Sequence, residues 1–133
     1  MADAMRLITN NPEVVDRWKG DPRLEVEFLP GDDMREVLYR VRDLLHRGHR
    51  LLTHPLTGSL KPNENPYKSI LVTERPTSLS LDHVAIMEQC IQATHNALNH
   101  RKIPAYSQHV RQDYMLIDSD LIANGILSAS EQL

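Results

Sequence analysis

The spacing of apolar positions changes several times along the chain, and each change marks an element. Met5 to Thr9 is a short apolar run, the first predicted strand. Asn10-Asn11-Pro12-Glu13 then has the makings of a helix start: a capping amide, a proline where a missing N–H costs little, and an acid in the first turn. Val14, Val15 and Trp18 supply the buried side, and Gly20 with Asp21-Pro22 ends the helix. Leu24 to Leu29 alternates instead, with Leu24, Val26 and Phe28 on one face and Glu25 and Glu27 on the other. That pattern predicts a strand wetted on one side, near a sheet edge. Pro30-Gly31 turns the chain, and Asp32 or Asp33 caps the next helix.

Met34, Val37, Leu38, Val41, Leu44 and Leu45 recur at three- and four-residue spacing and predict the clearest helix. Its outer face pairs Glu36 with Arg40 and Asp43 with Arg47 four apart, and Gly48 stops it. Arg50 to Thr53 reads as a brief third strand and Tyr67 to Thr73 as a fourth, rich in β-favouring residues. After the turn at Arg75-Pro76-Thr77-Ser78, Ser80 caps a long helix whose inner stripe is Val84, Met87, Cys90, Ile91, Thr94, Ala97 and Leu98. It should end near His100-Arg101, with Pro104 fixing the break. A last helical pattern runs from His109 to Ile122, with Val110, Tyr114, Ile117 and Leu121 inward and Asn124-Gly125 closing it.

Strands alternating with helices predict a layered α/β domain, a two- or three-layer sandwich on a small, mainly parallel four-stranded sheet with about four helices. Right-handed crossovers give the order 2-1-3-4. Strand 4 follows strand 3 without a crossover helix and should run antiparallel. The whole chain, 1–133, is one domain's length, with His100–Leu133 a C-terminal helical extension of it.

Charge and composition narrow the classes. A net charge of −3 and a pI near 6.1 offer no general attraction to nucleic acid. Cys90, the single cysteine, cannot form an internal disulfide and fits a buried stripe rather than a reactive thiol. With no leader and no apolar run of membrane-spanning length, the expectation is a cytoplasmic protein that meets neither membrane nor nucleic acid. Nucleotide-binding glycine loops, paired-cysteine metal patterns and the Gly-x-Ser-x-Gly elbow are all missing, so nothing names a cofactor or a reaction. Asp118 and Asp120, read as exposed acids, make a weak metal pair.

The long Arg50–Tyr67 connection is where function is expected, since loops of that length in small domains are functional or disordered and its prolines argue for order. In a sheet of this order, ligands bind beyond the carboxyl ends of the strands where the winding reverses. That brings Asn10 and Asn11, at a helix amino terminus suited to an anion, toward Thr53 and His54. Thr57, Gly58, Ser59 and Lys61 add hydroxyls, pliant backbone and a positive charge. His54 is the candidate acid–base residue, and Glu64 a candidate partner for His54 or Lys61. Asn63-Glu64-Asn65-Pro66 is otherwise accounted for by Asx-turn chemistry.

Two of these segments, Ile8-Thr9-Asn10-Asn11-Pro12 and Leu51-Leu52-Thr53-His54-Pro55-Leu56-Thr57-Gly58-Ser59-Leu60-Lys61-Pro62-Asn63-Glu64-Asn65-Pro66-Tyr67-Lys68-Ser69, resemble the GrdX family, small proteins encoded beside glycine reductase genes. The resemblance covers Met5 to Leu98 and implies an accessory or regulatory role around the glycine reductase complex, whose subunits become candidate partners. It does not imply a catalytic subunit, because this chain has no cysteine pair and no pyruvoyl-forming signature. The leading expectation is therefore a protein that holds a small anionic metabolite or a partner subunit at the Thr53–Lys61 loop. Its alternatives are a small enzyme on a phosphorylated or carboxylated substrate, with His54 as acid–base residue and Lys61 holding charge, and a homodimer formed through the Val84–Leu98 helix.

Overall fold

The computed structural model describes residues 4–56 and 61–132. Their elements run β1 (Met5–Thr9), α1 (Pro12–Trp18), β2 (Leu24–Phe28), α2 (Arg35–His46), β3 (Ser69–Thr73), α3 (Leu81–His100) and α4 (Gln108–Gln132). The sheet has three strands in the order β2-β1-β3. β2 lies parallel to β1 at the edge its alternation predicted, while β3 lies antiparallel, pairing Thr9 with Ser69 and Met5 with Thr73.

Helices cover both faces, so the domain is a three-layer sandwich. On one face Ile8, Ile70 and Val72 pack with the α2 stripe and with Met87, Cys90 and Ile91 of α3. On the other, Met5, Leu7, Leu24 and Leu71 pack with Val14 of α1 and with Ile122, Ile126 and Ala129 of α4. Alternate residues of β1 and β3 therefore feed alternate cores. Val37, Leu38, Val41, Leu44 and Leu45 are the buried side of α2. Each such aliphatic side chain contributes about 1.5–3 kcal/mol by leaving water. Gly48 ends the helix at φ +104°, the left-handed geometry that glycine adopts without strain.

The sheet differs from the expected one in a specific way: among the described residues there is no fourth strand, and the segment expected as strand 4 lies beside β1. Ile70, Leu71 and Val72 are all fully buried, so that run can sit between two helical layers. Arg50 to Thr53, with Arg50 exposed, is left on the outer side of β3 as a single antiparallel bridge from Leu51 to Val72. The ladder goes no further because Leu71 N–H donates to the Thr53 side-chain Oγ1, and the Leu52 and Thr53 amides both donate to one carbonyl, that of Leu71.

Other expectations are also corrected. α4 does not stop at Asn124-Gly125 but runs through it, and the glycine serves a close approach instead: a Cβ on Gly125 would stand 2.6 Å from Thr53 Cγ2. Its buried stripe is Asp118, Ser119, Ile122, Ile126 and Ala129, a phase that leaves Ile117 exposed. On α2, Arg40 pairs with Glu27 of the neighbouring strand and not with Glu36, and Asp43 pairs with Arg42 and not with Arg47. Met34, not Asp32 or Asp33, is the α2 cap residue; Asp33 is used by the Arg35 amide and guanidinium. The Ser80 cap of α3 is as expected, with Oγ accepting the His83 N–H at 3.2 Å.

Candidate functional site

α1 packs on one face of the sheet and α2 on the other, so the winding reverses between β1 and β3. At that rim the layers do not close, and a cavity of about 400 Å³ lies against the first residues of β3. The size is that of a small-molecule site. Thr53, His54, Lys61, Lys68, Ser69 and Asp118 are among its polar lining residues; Met34, Leu38, Leu52, Leu121 and Ile122 are among its apolar ones.

The part of the long connection that roofs the cavity is fixed from three directions. Asn63 Nδ2 donates to the Ala97 carbonyl of α3 at 3.2 Å, and Asn65 Nδ2 to the Tyr114 carbonyl of α4 at 3.2 Å. Asn65 Oδ1 accepts the Tyr67 N–H at 2.8 Å, the Asx turn the sequence suggests. The Tyr106 hydroxyl donates to the Glu64 carbonyl at 2.8 Å. Burial and the neighbouring Tyr114 push the Tyr106 phenol up to about 12, so it remains a donor.

Asn10 and Asn11 come to the same rim but behind β3, buried at 1 % and 0 % exposure and absent from the cavity wall. Asn10 Nδ2 donates to the Gly31 and Pro66 carbonyls at 3.1 and 2.9 Å, and its Oδ1 accepts the Lys68 N–H at 2.8 Å. Asn11 Oδ1 caps α1 by accepting the Glu13 N–H, and its Nδ2 donates to the Met115 carbonyl and to Asp118 Oδ2. Thus the amide functions are spent inside the protein, holding the ends of β1 and β3 in place, and the α1 amino terminus is occupied by its own cap.

Thr53, His54 and Lys61 face the cavity. Thr53 Oγ1 accepts the Leu71 N–H at 3.0 Å, and His54 Nδ1 accepts the Leu56 N–H at 3.1 Å, which makes the neutral ring a donor at Nε2. Glu64 is half-buried outside the wall, meeting Tyr106 through its backbone. Thr57, Gly58 and Ser59 lie outside the described residues.

Among the wall residues that escaped the sequence reading, Lys68 and Asp118 are the charged ones. Asp118 is only 6 % exposed, although it was expected at the surface. Its Oδ2 accepts from Asn11 Nδ2 at 3.0 Å and from Ser69 Oγ at 2.7 Å. Burial pushes its carboxyl up from the usual range, against the lowering effect of those two donors and of Lys68. Burial likewise lowers the Lys68 ammonium, opposed by Cys90 and Asp118. The Asp118-Ile122-Ile126 spacing of four could have marked Asp118 as inward; nothing in the sequence marks Lys68. Cys90, buried in the cavity wall, has its thiol pushed up by burial and is therefore poorly nucleophilic.

No group of three or more metal-ligating side chains occurs among the described residues, and no helix among them is long and apolar enough to cross a membrane. Fold and cavity together define a small three-layer α/β domain with a preformed, ligand-sized chamber at a strand end. Within that class the chain belongs to the GrdX-like protein family, whose model matches residues 6–127. No curated protein and no solved structure matches it.

Proposed function

We propose that the protein is an accessory, ligand-holding component of glycine-reductase-type amino-acid metabolism, with the cavity beside Thr53, His54, Lys61 and Lys68 as its binding site for a small carboxylate or phosphate. The observation that carries this reading is Lys68: a lysine reaches a ligand-sized cavity, and no carboxylate among the described residues forms an ion pair with it. Lys68 is half-buried and attracted by Asp118 without an ion pair, and a guest anion would give it a direct partner. Lys61 and His54, both exposed, stand where an entering anion would first meet the protein. Membership of the GrdX-like family is what suggests the metabolic setting.

The test is a thermal-shift and calorimetric titration with acetate, propionate, inorganic phosphate and acetyl phosphate, on the natural protein and on Lys68→Met. A guest that binds only the folded state stabilises it by RT ln(1 + [L]/Kd), about 2.7 kcal/mol at a hundredfold excess over Kd. The expected result is a dose-dependent rise in melting temperature that Lys68→Met abolishes. A flat melting temperature across the panel at millimolar concentration refutes the reading.

A further inference from the structure

Resting on that binding reading, the structure assigns the guest a second charge: we infer that the cavity takes an aminocarboxylate, its carboxylate on Lys68 and its ammonium on Asp118. Asp118 carries the second charge of the cavity wall. Its carboxylate, more than nine-tenths buried, lines the cavity, and its Oδ2 accepts from the Asn11 and Ser69 side chains, with the Ser69 backbone adding to them.

The hydrogen bonds behind Asp118 have a direction. Ser69 Oγ donates to Oδ2, so the Thr9 hydroxyl, 2.7 Å from Ser69 Oγ, donates to Ser69, and the Asn11 N–H donates to Thr9 Oγ1 at 2.9 Å. With Asn11 Nδ2, two lines of donors converge on one carboxylate oxygen. That arrangement suits a negative charge, and a charge so buried calls for a cation. Lys68 and Asp118 attract one another but form no ion pair among the described residues. The cavity is therefore lined by an acid and a base that attract one another without pairing.

Simple ions fit half of this. A plain anion would bring a second negative charge beside Asp118, and a plain amine a second positive charge beside Lys68. A molecule carrying both groups meets each with its opposite. Leu52, Leu121 and Ile122 give it apolar walls for a side chain, and the volume exceeds what the two charged ends need.

A matched set of probes tests this: L-norvaline, pentanoate, which lacks its amine, and butylamine, which lacks its carboxylate. On the natural protein calorimetry should show norvaline binding at least tenfold more tightly than either. Asp118→Asn, which keeps an acceptor for Asn11 and Ser69, should reduce norvaline to the affinity of pentanoate without weakening pentanoate. Lys68→Met should abolish both, with circular dichroism checking that each variant is folded. If pentanoate binds as tightly as norvaline and is lost with Lys68→Met, the zwitterion inference fails and the anion reading stands. If none of the three binds the natural protein, the inference falls whatever the variants do, and the anion panel above then decides the broader reading.

Discussion

Gly125→Ala is a substitution whose sign can be reversed by a second change nearby. The new Cβ would lie 2.6 Å from Thr53 Cγ2, well inside contact distance. Thr53 cannot simply turn its methyl away, because the same rotation removes Oγ1 from the Leu71 N–H, 3.0 Å distant, a bond worth about 1 kcal/mol. If α4 shifts instead, its packing against Leu71 through Ile122 and Ile126 loosens. Overpacking of this kind costs about 1–3 kcal/mol, while replacing a mid-helix glycine by alanine contributes about 1 kcal/mol of stability. The clash should win, and Gly125→Ala alone should destabilise the domain by about 0.5–2 kcal/mol. Thr53→Ser deletes the methyl and keeps the hydroxyl. In that background Gly125→Ala should stabilise by about 1 kcal/mol. Urea unfolding of the four proteins closes a double-mutant cycle. Equal destabilisation in both backgrounds would falsify the assignment of the contact to Thr53 Cγ2.

Two further outcomes are expected. Asn10→Ala leaves the Pro66 carbonyl and the Lys68 amide without their buried partner and should lower stability by about 2–3 kcal/mol; a loss under about 0.5 kcal/mol in chemical denaturation would show that the rim relaxes around the gap. His83 Nδ1 accepts the Leu51 N–H at 3.0 Å, and burial, with help from Arg50, lowers the ring below its ordinary value. A histidine with a depressed folded-state pKa contributes stability that is complete above about pH 6.5, the unfolded value, and is lost as pH falls through the folded value. The melting temperature should therefore drop from about pH 7 to about pH 5, with a smaller drop in His83→Gln; parallel profiles for the two proteins contradict this.

Local periodicity made most of the fold legible. The α2 stripe, the alternation of β2 and the Ser80 cap are properties of consecutive residues, and consecutive residues announce them. The choice of neighbour for β1 is not local: it turned on Ile70-Leu71-Val72 tolerating burial on both faces, while Arg50 kept its segment at the edge. Gly125 misled because an isolated Asn-Gly pair reads as a helix stop, whereas here the missing side chain makes room for Thr53. At the site, Thr53, His54 and Lys61 were visible as polar residues in a long connection. Asn10 and Asn11 were visible too, but their side chains answer internal carbonyls and amides, which no single segment shows. Asp118 was hidden by α4, whose apolar residues are spread around the helix so that its inward phase is hard to find.

The bonds from Asn11 to Met115 and Asp118 join positions separated by 104 and 107 residues. During synthesis, the corner after β1 must therefore wait for nearly the whole chain before its polar groups find their partners, and contacts that distant slow folding. A nascent chain lacking α4 would carry those amides unanswered and leave Met5, Leu7 and Leu71 uncovered on one side. A chain released before Asp118 therefore lacks both the cover that α4 gives this face and the partners of the Asn11 side-chain amide.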